Sequence, residues 1–172
     1  IVKTILYSCY VDIYSFQFLK YRVDQPSHGN DFFHQLEYTP NKKFTGVFRY
    51  RKRLKQLNDA TKSSGLNPLS EYSFESFRLS IRFKIDNIWE YSFRTELSIE
   101  ENNIRRIGKG TMVSQDIFFH PMGKSYSANC RYVIFNCPQF DTRIYEYEND
   151  VQGAFSIPFY YGNGSRFYTN IN

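Results

Sequence analysis

The sequence predicts an all-β fold in which antiparallel strands follow one another along the chain. Phe (17) and Tyr (15) are abundant among the 172 residues while Ala is scarce, and this usage favours strands over helices. Apolar and polar residues alternate over most of the chain, which is the period of a strand. No composition shift marks a second domain, so we expect residues 1–172 to form one domain or part of one.

The clearest alternation runs from Phe77 to Glu100 and predicts a hairpin with one apolar and one charged face. Odd positions are apolar as far as Ile85, and the same phase resumes after Asp86 and Asn87. The apolar face contains Phe77, Leu79, Ile81, Phe83, Trp89, Tyr91, Phe93 and Leu97. The charged face contains Arg78, Arg82, Lys84, Glu90, Arg94 and Glu96.

A three-residue loop, Asp86-Asn87-Ile88, keeps the two faces of this hairpin in phase. The predicted register sets these residues opposite each other: Lys84 and Glu90, Arg82 and Ser92, Ser80 and Arg94, Arg78 and Glu96. Opposite charges facing each other across a sheet contribute roughly 0.2 to 1 kcal/mol per pair. We therefore expect a polar face that balances much of its own charge.

The sequence before this hairpin predicts three strands. The first spans Ile5 to Val23 and contains a bulge where the alternation changes phase. A loop over Asp24 to Asn30 leads to a strand from Phe32 to Tyr38, and a tight turn at Pro40 to Lys43 leads to another from Phe44 to Arg53.

The connection to the hairpin, Leu54 to Tyr72, is polar, and Leu54 and Leu57 are placed to hold one helical turn. After the hairpin come a charged loop, Glu101 to Lys109, and a strand, Gly110 to His120.

In the last part of the chain, the sequence predicts a turn at Pro121 to Lys124 and a strand from Ser125 to Phe135. A loop over Asn136 to Asp141 precedes two further strands, Thr142 to Asn149 and Phe167 to Ile171. The chain stops within a strand pattern, so we expect a barrel domain that is truncated at both ends.

Short and long connections alternate along the chain. In an antiparallel meander this places all the short turns at one end, as in outer-membrane barrels with periplasmic turns and longer external loops. The hairpin strands run about ten residues, close to the ~9 to 11 that a tilted membrane-spanning strand needs. The sequence therefore predicts an up-and-down transmembrane β-barrel, visible in part, with about eight or more strands.

Two kinds of water-soluble protein would show the same alternation of apolar and polar residues. One is a β-barrel or sandwich that binds an apolar ligand or carbohydrate, with its apolar face turned inward. The other is a jelly-roll capsid protein with a basic inner face. Large aromatic residues near the short turns, Trp89, Tyr91 and Tyr126, favour the membrane barrel because they match an interfacial girdle.

Three segments resemble a known family: QDIFFHP (Gln115 to Pro121), FRYRKRLKQLN (Phe48 to Asn58) and DTRIYEYENDVQGAFSIPFYYGNGSRFY (Asp141 to Tyr168). They are similar to the barrel region of a Bacteroidetes outer-membrane family known as helix-hairpin-helix proteins. In that family, small helix-hairpin-helix units similar to those of DNA-uptake proteins precede a barrel of unassigned function. The resemblance implies an outer-membrane location, and this chain shows no helix-hairpin-helix region.

Basic residues give the main candidate site. Arg49, Arg51 and Arg53 share one face of a strand, and Arg78, Arg82, Arg94 and Arg131 join them on others. They could line a lumen that attracts anions. We favour instead a structural role, in which they pair with nearby acidic residues, namely Glu75, Glu90, Glu96 and Glu100.

Other chemistry is weakly indicated. His28, His34 and His120 lack metal-ligand spacing, and Glu146 with Glu148 lacks a second catalytic group, so no enzyme, metal or cofactor is predicted. The formal charge of +5 is spread along the chain, and no nucleic-acid partner is predicted. The expected partners are the lipid bilayer and other outer-membrane or periplasmic proteins, with a role as pore, scaffold or subunit of a larger complex.

Overall fold

The computed structural model describes residues 4–21, 23–59, 66–102, 107–147 and 157–172. Ten strands lie within these residues: β1 (Thr4–Phe16), β2 (Ser27–Asn41), β3 (Phe44–Asn58), β4 (Leu69–Lys84), β5 (Trp89–Asn102), β6 (Gly108–Phe119), β7 (Ala128–Cys137), β8 (Ile144–Tyr145), β9 (Phe159–Tyr160) and β10 (Gly162–Ile171). A 3-10 turn, Phe140–Thr142, follows β7.

Eight of these strands form one antiparallel sheet in the order β1-β2-β3-β4-β5-β6-β7-β10. Each strand pairs with its neighbour in the chain, except that β10 pairs with β7 across the β8 and β9 region. The sheet is open, and β1 and β10 form its edges in the described part of the chain. The predicted all-β, up-and-down antiparallel architecture is confirmed, as an open sheet that corresponds to part of a barrel.

The predicted register of the β4–β5 hairpin is also confirmed. Lys84 lies opposite Glu90 and Arg78 opposite Glu96 in the paired strands. The backbone N–H of Ile85 donates to the Trp89 carbonyl (3.0 Å), which closes the turn. The carboxylate of Asp86 accepts hydrogen bonds from the backbone N–H groups of Trp89 and Ile88, and they hold the pKa of Asp86 below its usual value.

The prediction of one strand from Ile5 to Val23 is wrong beyond Phe16. The chain bends after β1, and Lys20 and Val23 form only an isolated bridge. β2 begins at Ser27, which pairs with Phe16, so the reversal comes earlier than the expected loop.

The polar connection predicted over Leu54 to Tyr72 is much shorter in the structure. β3 continues to Asn58 and β4 begins at Leu69, and these two residues are paired. The helical turn expected at Leu54 and Leu57 is therefore wrong, because both residues belong to the β3–β4 ladder.

The strand predicted from Thr142 to Asn149 is also wrong. Its described part contains only the two residues of β8, which pair with β9 in a separate sheet. Residues 148 and 149 lie outside the described residues. β10 begins at Gly162, five residues earlier than the strand predicted from Phe167.

The described part of the β7–β10 connection, residues 138–147 and 157–161, is named here the inserted segment. It packs on one face of the sheet, where Ile144 and Tyr160 join Met112, Val133 and Cys137 in a small buried cluster. We call the covered side of the sheet the inner face and the opposite side the outer face.

The two faces have inverted polarity for a water-soluble protein. Along β6, inner-face residues are buried and outer-face residues exposed in strict alternation. Asp116 and Arg131, on the inner face, are 4% and 6% exposed, whereas Ile134 on the outer face is 53% exposed. In the β6–β7 region, buried charges share the covered inner face with the small apolar cluster, while large apolar side chains are open on the outer face.

Candidate functional site

The candidate site is a charge cluster on the inner face beneath the inserted segment. Glu146, 4% exposed, approaches Arg94 of β5 and Arg131 of β7 at 3.4 Å and 3.6 Å between guanidinium nitrogen and carboxylate oxygen. The hydroxyl of Ser114 donates to the same carboxylate oxygen (3.0 Å). Burial raises the pKa of Glu146, while the two guanidinium groups act in the opposite direction. One carboxylate thus joins three strands.

The same two arginines also hold the backbone of the inserted segment. Arg94 donates to the Tyr145 carbonyl (2.9 Å), and Arg131 donates to the Tyr147 carbonyl (2.8 Å). Arg131 additionally forms a buried ion pair with Asp116. Because each guanidinium has five donors in a fixed fork, it can satisfy carbonyl and carboxylate partners together.

Glu96 links the cluster to β4. Its carboxylate accepts from Arg78 at 2.7 Å and from Arg94 at 2.5 Å, and its side chain is 7% exposed. The predicted pairing of Arg78 with Glu96 is therefore present as a buried, two-point contact. Glu96 is the member that depends on its partners, because its buried carboxylate is neutralised by Arg78 and Arg94 together.

Two glycines of β6 make room for the inserted segment. A Cβ at Gly110 would lie 2.4 Å from the carbonyl oxygen of Thr142, and one at Gly108 would lie 3.0 Å from the Thr142 methyl group. Thr142 is fully buried. The segment approaches the sheet so closely that a side chain at position 110 would force its backbone to move.

The inserted segment separates two cavities on the inner face. The larger, about 740 Å³, lies towards the short turns and contacts strands from β3 to β7 as well as Glu146 and Tyr147. The smaller, about 420 Å³, lies towards the opposite end of β3 and β4 and contacts Arg143 and Tyr145 of the segment. A cavity bounded by five strands shows that the sheet curves around its inner face.

The structure brings most of the predicted basic residues to the inner face with acidic partners. Arg82 pairs with Glu90 at 3.2 Å, although Lys84 is the residue directly opposite Glu90. Arg51 pairs with Asp31. Arg49 instead donates to the neutral amide of Gln35, and Arg53 lies over the ring of Phe74.

Some acidic partners differ from those expected. Glu75 is on the outer face and pairs with Lys52 at 2.7 Å. Asp31 and Asp116 are partners that the sequence interpretation missed, whereas Glu146, expected to be solvated or ion-paired, pairs with Arg94 and Arg131. The alternation of β6 could have identified Asp116, since it shares the inner-face phase of Met112 and Ser114.

The predicted apolar strip lies entirely on the outer face, and none of its eight residues is buried. Leu79, Phe83 and Trp89 are each about two-fifths exposed. Near the short turns the ring of Trp89 packs on Phe119 at 4.6 Å between centroids, and Phe119 contacts Tyr126. A group of aromatic rings therefore lies at that end of the outer face.

Within the described ranges, no group of three His, Cys, Asp or Glu residues is placed to hold a metal ion. The same ranges contain no helix that is long and apolar enough to cross a membrane. Comparison with protein-family models, with curated proteins and with solved structures finds no match for this chain.

Proposed function

We propose that this chain is the barrel, or a large part of the barrel, of an outer-membrane protein of a Gram-negative bacterium, acting in the envelope as a pore, a scaffold or a subunit of a larger complex. The observation that carries the proposal is the inverted polarity of the two faces. An apolar outer face and a covered, charged inner face suit a sheet with lipid outside and a polar lumen inside.

The dimensions of the outer face agree with this role. The apolar strip from Phe77 to Ile85 extends roughly 26 Å along the chain at ~3.3 Å per residue, which gives about 20 Å of height at the strand tilt of about 40° found in such barrels. The apolar band of outer-membrane barrels is about 25 Å tall and is flanked by aromatic residues. Trp89, Phe119 and Tyr126 supply such residues at the short-turn end, and the Lys52–Glu75 ion pair lies beyond the other end of the strip.

The edges of the sheet add a requirement to the proposal. A lipid-exposed edge would leave backbone N–H and C=O groups without partners, at a cost of several kcal/mol each. β1 and β10 therefore need further strands beside them in a membrane. The resemblance to Bacteroidetes outer-membrane proteins agrees with this role and stays a prediction.

Arginine substitutions at different depths of the outer face test the proposal. We expect Leu79→Arg and Phe93→Arg each to lose about 2 to 4 kcal/mol of folding free energy in lipid, because a charge near the bilayer midplane is poorly solvated. Folding into lipid vesicles, followed by tryptophan fluorescence and denaturant titration, measures this loss.

Ser73→Arg is the matched control, because Ser73 lies on the same strand and face but beyond the apolar strip. We expect it to fold into vesicles like the wild type. Equal behaviour of Leu79→Arg and Ser73→Arg, or a wild-type protein that is monodisperse without detergent, would overturn the membrane proposal in favour of a soluble barrel or sandwich.

A further inference from the structure

The smaller inner-face cavity carries an excess of positive charge. Six basic residues line it, namely Arg49, Arg51, Arg53, Lys55, Arg78 and Arg143, against three acidic ones, Glu75, Glu96 and Asp141. The first four occupy every second position of β3, so their side chains leave the same face at intervals of roughly 6 to 7 Å. The cavity is thus lined along one wall by a row of cations.

Only half of these cations have carboxylate partners. Arg51 pairs with Asp31, Arg78 with Glu96, and Arg143 approaches Asp141 at 3.9 Å. The other three cations are Arg49, Arg53 and Lys55. They form no ion pair with any described residue. Three positive charges therefore face the cavity without an ion-paired carboxylate in the part of the chain that the structure describes.

Their other contacts are with neutral groups. Arg49 donates two hydrogen bonds to the amide oxygen of Gln35, at 2.8 and 3.1 Å. Lys55 and Arg53 lie 4.4 and 5.8 Å from the centre of the Phe74 ring. Aromatic faces and an amide orient cations without neutralising them.

The pairing of β3 with β4 makes this excess of positive charge destabilising. Arg49 lies directly opposite Arg78 in the β3–β4 ladder, and like charges at opposed positions destabilise a sheet. Around the larger cavity the charges are balanced, since Arg82 pairs with Glu90 and Arg131 with Asp116. The excess is thus confined to one cavity.

We propose that the smaller cavity binds a small multivalent anion that carries two or more phosphate or carboxylate groups. Arginine forks bind both groups in bidentate geometry, and a row of cations favours a ligand with more than one charge. A volume of about 420 Å³ lies within the range of small-molecule sites. This inference concerns the inner face alone and does not require the outer face to contact lipid.

Calorimetric titration of the folded, purified chain at fixed ionic strength tests the proposal, with inorganic pyrophosphate and citrate as separate probes. Saturable binding of pyrophosphate alone assigns phosphate chemistry, and binding of citrate alone assigns carboxylate chemistry. The double variant Arg49→Gln with Arg53→Gln is expected to weaken binding by about tenfold or more, because it removes two unpaired cations.

The matched control is Lys52→Gln with Lys109→Gln, which removes two positive charges from the outer face. It should bind as the wild type does. Lys55→Gln, a single change near the end of β3, provides a second test if the double variant does not fold. Absence of saturable binding of both probes to the wild type, or equal weakening in the outer-face control, overturns the anion site. Solubility without detergent would count against the membrane proposal and leave this titration interpretable.

Discussion

The β6–β7 region and the β1–β2 region have equally regular ladders but very different side-chain environments. Residues of β6 alternate between buried and exposed along Gly108 to Ile117. Residues of β1 are exposed on both faces, except that Tyr14 is half-buried. The inserted segment lies over β6 and β7, and β1 pairs with β2 alone in the described residues.

This difference separates two contributions to the fold. Backbone pairing builds the sheet in both regions, because every strand finds its hydrogen-bonding partner there. The strict alternation of buried and exposed residues is found where the inserted segment covers the sheet, while burial elsewhere is confined to single residues such as Ser27 and Asp31 of β2. Both members of the Arg131–Asp116 pair in the β6–β7 region are therefore dependent on each other, whereas in the β2–β3 pair Asp31 is buried but Arg51 stays in contact with solvent.

The largest expected effect comes from removing the central cation of the covered region. Arg131→Met leaves the buried carboxylate of Asp116 without its guanidinium partner and removes one of the two beside Glu146. We expect a loss of about 3 to 5 kcal/mol in the free energy of unfolding. Denaturant titration followed by the fluorescence of Trp89 measures it. A loss below about 1 kcal/mol would show that water reaches this cluster.

A smaller effect is expected from crowding the inserted segment. Gly110→Ala should displace the Thr142 backbone and cost about 1 to 3 kcal/mol. In a Cys9→Ser, Cys130→Ser background, maleimide labelling of the buried Cys137 should become about tenfold faster, because the segment covers that thiol.

Gly46→Ala is the control for this labelling experiment, since its Cβ would meet the ring of Phe44 at 3.3 Å and the Tyr38 carbonyl oxygen at 4.0 Å, and neither belongs to the inserted segment. Unchanged labelling of Cys137 in the Gly110→Ala variant would show that the segment does not control access to it.

The smallest effect is expected where the sheet is uncovered. The side chain of Arg51 is 38% exposed and that of its partner Asp31 is 11% exposed, so Arg51→Gln should cost about 1 kcal/mol, the upper end for a partly exposed pair. The same denaturant titration applies. If this loss equalled that of Arg131→Met, the two regions would be alike in their exclusion of water.

The sequence predicted best those parts that depend on strand period. In the β4–β5 hairpin a shift of one residue would exchange the two faces, so the apolar pattern determines the register from Phe77 to Leu97. The same reasoning placed Arg49 and Arg51 on the charged face of β3. The up-and-down antiparallel order followed from the succession of alternating segments, although the β6–β7 connection, predicted as short, is longer than the β5–β6 connection, predicted as long.

The inserted segment could not be predicted in this way. Tyr145, Glu146 and Tyr147 alternate like a strand, and local period does not tell whether a strand joins the main sheet or lies across it. The pair Gly108 and Gly110 was the available signal, because glycines at alternate positions of a strand allow a close backbone approach. The pairing of Asp116 with Arg131 could not be predicted either. It requires the β6–β7 register, and the residues of the β6–β7 loop do not specify that register.

The departure of β10 from the hairpin order has a consequence for how the chain folds. Every other neighbouring pair in the sheet is joined by a direct connection, so these strands can add one after another through local contacts. The β7–β10 connection is roughly six times as long as the β4–β5 turn, and closing it costs about 1.5 kcal/mol more in chain entropy. Docking of Ile144 and Tyr160 on β6 and β7 shortens the span that remains to be closed. Hence we expect the inserted segment to settle on β6 and β7 before β10 pairs with β7, so that the inner face is covered before this edge of the sheet forms.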